Sequence, residues 1–227
     1  MAKLVITIDG PAASGKSTIA RLVAQKLGAS FLDTGAMYRA VTLAAMKAGI
    51  DLSDQKQLLD VLKESKFNFS VKDGSMKVCI NGVDVTGELR SPDVTAKARH
   101  IASAAMVREK LVRMQRQFAA GEKKIVTEGR DQGTVAFSDA DIKFFLTADL
   151  TERARRRQAE LVAKGESISL EEIQKAIEQR DKSDQNRTVG PLRPADDAII
   201  IDTTNLNIED VVEKVLGFVE EKCSRKK

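Results

Sequence analysis

Aromatic residues, histidine and cysteine are all scarce in this 227-residue chain, and each shortage closes off a class of function. There is no tryptophan and only one tyrosine, Tyr38, so stacking platforms for single-stranded nucleic acid are not indicated. His100 is the single histidine, and Cys79 and Cys223 lie far apart without CxxC spacing. Neither a zinc site nor a disulfide framework is expected. No apolar run reaches the roughly 18 residues of a membrane span, and strand-like sequence begins at once, without a basic segment and an apolar segment ahead of it. A soluble, cytoplasmic protein is the expectation. Net charge is +4, from 37 basic and 33 acidic residues, which is mild for a nucleic-acid binder and suits small anionic substrates.

What is present is organised around Gly10-Pro-Ala-Ala-Ser-Gly-Lys-Ser17. The apolar run Leu4–Ile8 precedes it and a helix-period segment follows, the strand-loop-helix context in which G-x-x-x-x-G-K-S cradles phosphate. Glycines at 10 and 15 let successive backbone N–H groups curl round an anion, and the helix N-terminus adds partial positive charge. Lys16 is expected to reach the β- and γ-phosphates, and the Ser17 hydroxyl to face Mg²⁺. ATP is therefore expected against Gly10, Pro11, Ala12, Ala13, Ser14, Gly15, Lys16, Ser17 and Thr18.

Downstream, strand-like and helical segments alternate. Phe31-Leu32 predicts a strand ending at Asp33, followed by a helix to about Gly49; another helix is expected from about Asp54 to Glu64. From Phe67 the period changes to two: Phe67, Phe69 and Val71, a turn at Asp73-Gly74, then Met76, Val78 and Ile80, and a turn at Asn81-Gly82 before Val83. This predicts a three-stranded antiparallel meander, inserted at about 66–90 with a small face of its own. Ser91-Pro92 predicts a capped helix from about 92 to 105, and Val107, Leu111, Met114 and Phe118 mark another ending at Gly121. Lys124–Thr127, Ile142–Leu146 and Ala198–Asp202 complete the core strands. Helices are expected from Thr151 to Lys164, from a Ser169/Glu172 capping box to about Ser183, and from Ile208 to Lys222. The class is α/β: a parallel sheet with helices on both faces.

In such sheets ligands lie beyond the carboxyl ends of the strands, and arginine is abundant there. Arg39, Arg130, Arg153, Arg156, Arg157, Arg180 and Arg187 all fall at strand exits or on the helices just after them. Guanidinium forks suit phosphate oxygens, and phosphoryl transfer needs positioned positive charge more than covalent chemistry. Spacing alone leaves Arg180, Asp184 and Arg187 open between a surface ion-pair ladder and a site, and Arg153, Arg156 and Arg157, which share one helix face, open between a solvated helix and a lid. Asp33 and Glu128 both end strands, and either can hold Mg²⁺ through water.

Four motifs in order, Ile8-Asp-Gly-Pro-Ala-Ala-Ser-Gly-Lys16, Asp33-Thr-Gly-Ala-Met-Tyr-Arg39, Glu128-Gly-Arg-Asp-Gln-Gly-Thr134 and Arg180-Asp-Lys-Ser-Asp-Gln-Asn-Arg187, resemble the bacterial cytidylate kinases over essentially the whole chain. The resemblance implies transfer of the ATP γ-phosphoryl to CMP or dCMP, with Mg²⁺, by a monomer that uses neither nucleic acid nor membrane. It implies one P-loop kinase domain, with a core at about 1–35, 106–150 and 188–227, a monophosphate-binding region at 36–105 and a helical lid at about 151–187. Thr34, Tyr38, Arg39, Arg130 and Arg187 match the surroundings of the CMP phosphate. Arg108 and Asp131 match the readers of the cytosine edge, and Arg180 and Asp184 the holders of the sugar. Lys16, Arg130, Arg153, Arg157 and Arg187 match the catalytic set, with Arg156 on ATP. Thr34 stands where serine is common, and Arg99 where one member has a base-contacting serine. Open rivals are a kinase for UMP, AMP or a non-nucleotide acceptor, and a P-loop ATPase working on nucleic acid.

Overall fold

The computed structural model describes residues 4–72, 74–163 and 165–224. Five parallel strands, β1 (Leu4–Asp9), β2 (Ser30–Asp33), β6 (Lys124–Gly129), β7 (Ile142–Thr147) and β8 (Ile199–Asp202), lie in the order β2-β6-β1-β7-β8. β1 is central, its Ile6, Ile8 and Thr7 fully buried between β6 and β7. Burial on both faces requires helices on both sides. On one, Ile19, Ala20, Val23 and Ala24 of α1 (Lys16–Leu27) pack with Val211, Val212, Val215 and Val219 of α8 (Ile208–Ser224). On the other lie α2 (Thr34–Lys47), α3 (Gln55–Glu64) and α5 (Ala105–Ala120).

The meander forms as the alternation predicts: β3 (Phe67–Lys72) and β4 (Ser75–Ile80) pair antiparallel from Phe67 opposite Ile80 to Lys72 opposite Ser75, and β5 (Val83–Asp84) adds a short edge. Its buried face is not separate. Met76, Val78 and Ile80 join one apolar cluster with Met37 and Val41 of α2 and Leu58 of α3, so the insertion is welded to the main core. Each such side chain, fully buried, contributes roughly 1.5–3 kcal/mol.

Several boundaries move. α4 (Pro92–Ser103) ends two residues early because Ala104 is extended (φ −80°, ψ 101°), which separates it from α5. Ser91 precedes α4 with no side-chain capping bond, leaving Pro92 to start the helix by its fixed φ. α6 (Leu150–Val162) begins one residue early, capped by the Asp149 carboxylate on the N–H groups of Thr151 and Glu152; Lys164 lies outside the described residues, as does Asp73 of the predicted turn. α7 (Leu170–Gln185) opens on the predicted capping box and runs two residues past Ser183. Among the described residues no helix is long and apolar enough to cross a membrane.

Candidate active site

The phosphate loop spans the gap between β1 and α1. Gly10 has no room for a side chain: a Cβ there would collide with the carbonyl oxygen of Leu146 on β7. Gly15 adopts a left-handed conformation (φ 83°) at the N-terminus of α1, with no side chain capping the helix. Ala13 is also left-handed (φ 58°), a conformation costly for an L-residue and concentrated at functional loops. The first amides of α1 thus point into the loop without a side-chain acceptor, the arrangement that binds anions. Ser14 is fully buried and its hydroxyl has no hydrogen-bond partner among the described residues.

Lys16 is 6% exposed and donates to the Pro11 carbonyl at 3.1 Å. Burial pushes its ammonium down to about 7, with Arg130 adding to the shift and Glu128 opposing it. The Ser17 hydroxyl donates to Glu128 Oε1 at 3.0 Å. Burial and the adjacent Asp33 push the Glu128 carboxyl up. Of the two strand-end acids, Glu128 therefore faces Ser17, while Asp33 turns toward Ala36 N–H, Arg39 and Arg90.

Opposite the loop, Asp184 gathers two of the predicted arginines. Arg130 Nε donates to its Oδ2 at 2.8 Å and Arg187 Nη2 to its Oδ1. Arg180 stands close enough that Arg130 is the main cause pushing its guanidinium down to about 10. The Asp184 carboxyl is held low, burial being outweighed by Arg130, Arg187 and Arg180. Cations gathered this closely make a cleft that favours an anion. Beside it, Arg108 Nη2 donates to Asp131 and its Nη1 to the Ala102 carbonyl, with the guanidinium 5.5 Å from the Tyr38 ring centroid. Burial pushes the Tyr38 hydroxyl up to about 12. Thr34 donates its hydroxyl to the Glu128 carbonyl at 2.7 Å, pinning the start of α2 to the end of β6.

The arginines of α6 do not converge. Arg153, 9% exposed, donates to the carbonyls of Ala148 and Ala12 and to Asp181, whose other oxygen accepts the Ala12 N–H at 3.0 Å. Arg156 donates to the Thr203 carbonyl at 2.6 Å and to Glu152, beside Gly15. Arg157 lies outside, paired with Glu160.

The cytidylate kinase family model matches residues 6–221. Curated cytidylate kinases of Bacillus thuringiensis (strain Al Hakam) and Bacillus cereus (strain AH187) are each 44% identical over 217 residues, 96% of this chain and 96% of theirs. The chain belongs to the cytidylate kinase family. The crystal structure of TT1252 from Thermus thermophilus matches with a TM-score of 0.49 and 18% identity over 96% of this chain and 98% of that one; the family membership rests on the sequence relatives.

Four residues that help build the site carried no assigned role in the sequence, although Asp9 stands there as a candidate strand-end hydrogen-bond acceptor. Asp9 accepts the N–H groups of Gln132 and Gly133 at 2.9 and 2.7 Å, so the end of β1 holds the turn carrying Arg130 and Asp131. Burial pushes the Asp9 carboxyl up to about 7. Asp181, Thr203 and Arg90 were also unassigned. Asp181 carried the one available signal, a charge on the α7 face that its neighbours Ile173 and Ile177 bury. Arg99, at the position of the serine noted above, is exposed on α4.

Proposed function

We propose that this chain transfers the γ-phosphoryl of ATP to CMP and dCMP, giving ADP with CDP or dCDP. The observation that carries the reading is the convergence of Arg130 and Arg187 on Asp184 in a cleft where Arg130 is also a main influence on Lys16. Donor and acceptor phosphates thereby meet one field of positive charge. Buried Nε groups of Arg39, Arg108 and Arg187 and the Ser14 hydroxyl lack partners among the described residues, which leaves donors open to a ligand.

A CMP phosphate oxygen is already anionic at neutral pH, so attack in line with the leaving ADP needs no general base. Lys16 and the loop amides hold the donor; Arg39, Arg130 and Arg187 hold the acceptor and spread the charge that develops between them. Arg153 acts by fixing Ala12, and Arg156 lies where it can meet the donor. Arg157 meets phosphate only if α6 turns, the motion expected of the lid at about 151–187 over the core and the 36–105 acceptor region; closure excludes water and suppresses hydrolysis. Arg180 and Asp184 face the sugar. Ser17 and Glu128, two oxygen donors 3.0 Å apart, fit a hard cation that keeps most of its waters, and would hold Mg²⁺. When bound, it neutralises the β- and γ-phosphate oxygens.

Asp131 gives one carboxylate oxygen to Arg108. Its second oxygen accepts the N4 amine of cytosine and repels the corresponding carbonyl of uracil. A coupled ADP-release assay with CMP, dCMP, UMP, AMP and GMP tests the whole reading: strong turnover with CMP and dCMP and little with UMP is expected. Equal turnover with UMP would withdraw the Asp131 role, and no monophosphate-dependent ADP release would leave only the ATP site. Asp131→Ala is expected to erode the CMP-over-UMP preference more than ATP binding.

A further inference from the structure

Asp33 ends β2 and caps α2, its Oδ1 accepting the Ala36 N–H at 2.8 Å. The carboxylate is 4% exposed, and two guanidinium groups share it. Arg39 Nη2 is held loosely, at 3.4 Å from Oδ1 and 3.3 Å from Oδ2. Arg90 Nη2 is held closely, at 2.9 Å from Oδ2, although its side chain is 66% exposed. Arg90 comes from the end of the meander, directly after Leu89, which is 2% exposed and anchors that end in the core. Gly35 leaves the space in which Arg39 folds back: a Cβ there would sit 2.9 Å from Arg39 Nη1.

Two anions therefore compete for Arg39. On the reading proposed above it holds the acceptor phosphate, yet here it rests on a buried acid. A carboxylate stripped of its only cation in such a place is strongly disfavoured, so Asp33 alone would trap Arg39. We propose that Arg90 is a positioning residue for acceptor binding: by keeping Asp33 compensated, it lets Arg39 leave for the acceptor phosphate. Arg39 and Arg90 both line a cavity of about 380 Å³ with Ser17, Phe31 and Leu89, so neither guanidinium is packed in on all sides. Burial works against the charge on Asp33, but Arg39 and Arg90 outweigh it and hold the carboxyl below its usual range. The meander thus contributes to recognition through one charge at its exit, without touching substrate.

The test is steady-state ADP release with CMP and ATP varied separately, for wild type, Arg90→Met, Arg90→Lys, Asp33→Asn and the Arg90→Met/Asp33→Asn double variant. The Asp33→Asn change retains an oxygen for the Ala36 N–H, so the helix cap survives. Arg90→Met is expected to raise KM for CMP about tenfold while KM for ATP stays within about twofold, and Arg90→Lys to recover part of the loss. With Asp33→Asn in place, where Arg39 has no charge to hold it, Arg90→Met should add nothing. An unchanged KM for CMP in Arg90→Met, an equal rise in KM for ATP, or full additivity in the double variant would overturn the proposal. Wild-type turnover separates two failures: its absence removes the acceptor assignment and this inference with it, whereas wild-type turnover with an unaffected Arg90→Met overturns the inference alone.

Discussion

Arginine serves two purposes in this molecule, and the contrast lies in what its donors meet. Around the acceptor cleft, Arg130 and Arg187 share one carboxylate, and Arg39, Arg108 and Arg187 keep buried Nε groups without partners. On α6, Arg153 is bonded to two carbonyls and Asp181, and Arg156 to Thr203 and Glu152. The first group is under-satisfied and mutually repelling, which suits binding. The second is satisfied by the fold, which suits construction. The guanidinium groups of Arg153 and Arg156 are thus tied to the protein, whereas some donors in the cleft stay open.

Substitution can break or sharpen that division. The largest effect is expected from Arg153→Ala, which leaves Asp181 buried and unpaired: a loss of about 3–5 kcal/mol, read as a fall in melting temperature, with the affinity of the surviving folded protein for CMP little changed. If this variant instead melts normally and loses turnover, Arg153 belongs with the substrate contacts. Next, Arg130→Ala keeps Arg187 on Asp184, so the fold should survive while kcat/KM for CMP falls roughly 10²–10³-fold in the ADP-release assay.

A third, smaller effect is pH-dependent. Lys16 has its folded value lowered from 10.5 to about 7, so between those values the unfolded chain binds more protons and stability from this group rises with pH. Calorimetry of wild type and Lys16→Met from pH 7 to 10 should show the difference shifting toward wild type as pH rises; a flat difference would mean the lysine is not desolvated. The smallest effect is expected of Arg157→Ala, since the Arg157–Glu160 pair is open to solvent: a stability change under about 0.5 kcal/mol. Any sizeable loss of turnover there would then report closure of α6 over the donor.

The phosphate loop was legible in sequence because its determinants are local: glycine dihedrals, spacing and flanking periodicity. The meander was legible for the same reason, its register set by alternation and by two turn dipeptides. What escaped was held by pairs that only the sheet brings together. Asp9 meets Gln132 and Gly133 because β1 neighbours β6, Asp181 meets Ala12 across 169 positions, and Arg90 meets Asp33 across 57. The predicted face shared by Arg153, Arg156 and Arg157 exists on the helix, but three different neighbours stand around it, so one periodicity yields three environments. Asp33 and Glu128 were equivalent as strand ends; only the direction of their partners told them apart.

Ala12 gives its N–H to Asp181 on α7 and its carbonyl to Arg153 on α6. One residue of the phosphate loop therefore ties both helices, through the two peptide groups that flank its Cα. Any displacement of α6 against α7 must strain or break one of these two bonds. A loop filled by ATP is expected to hold the two helices more firmly than an empty one.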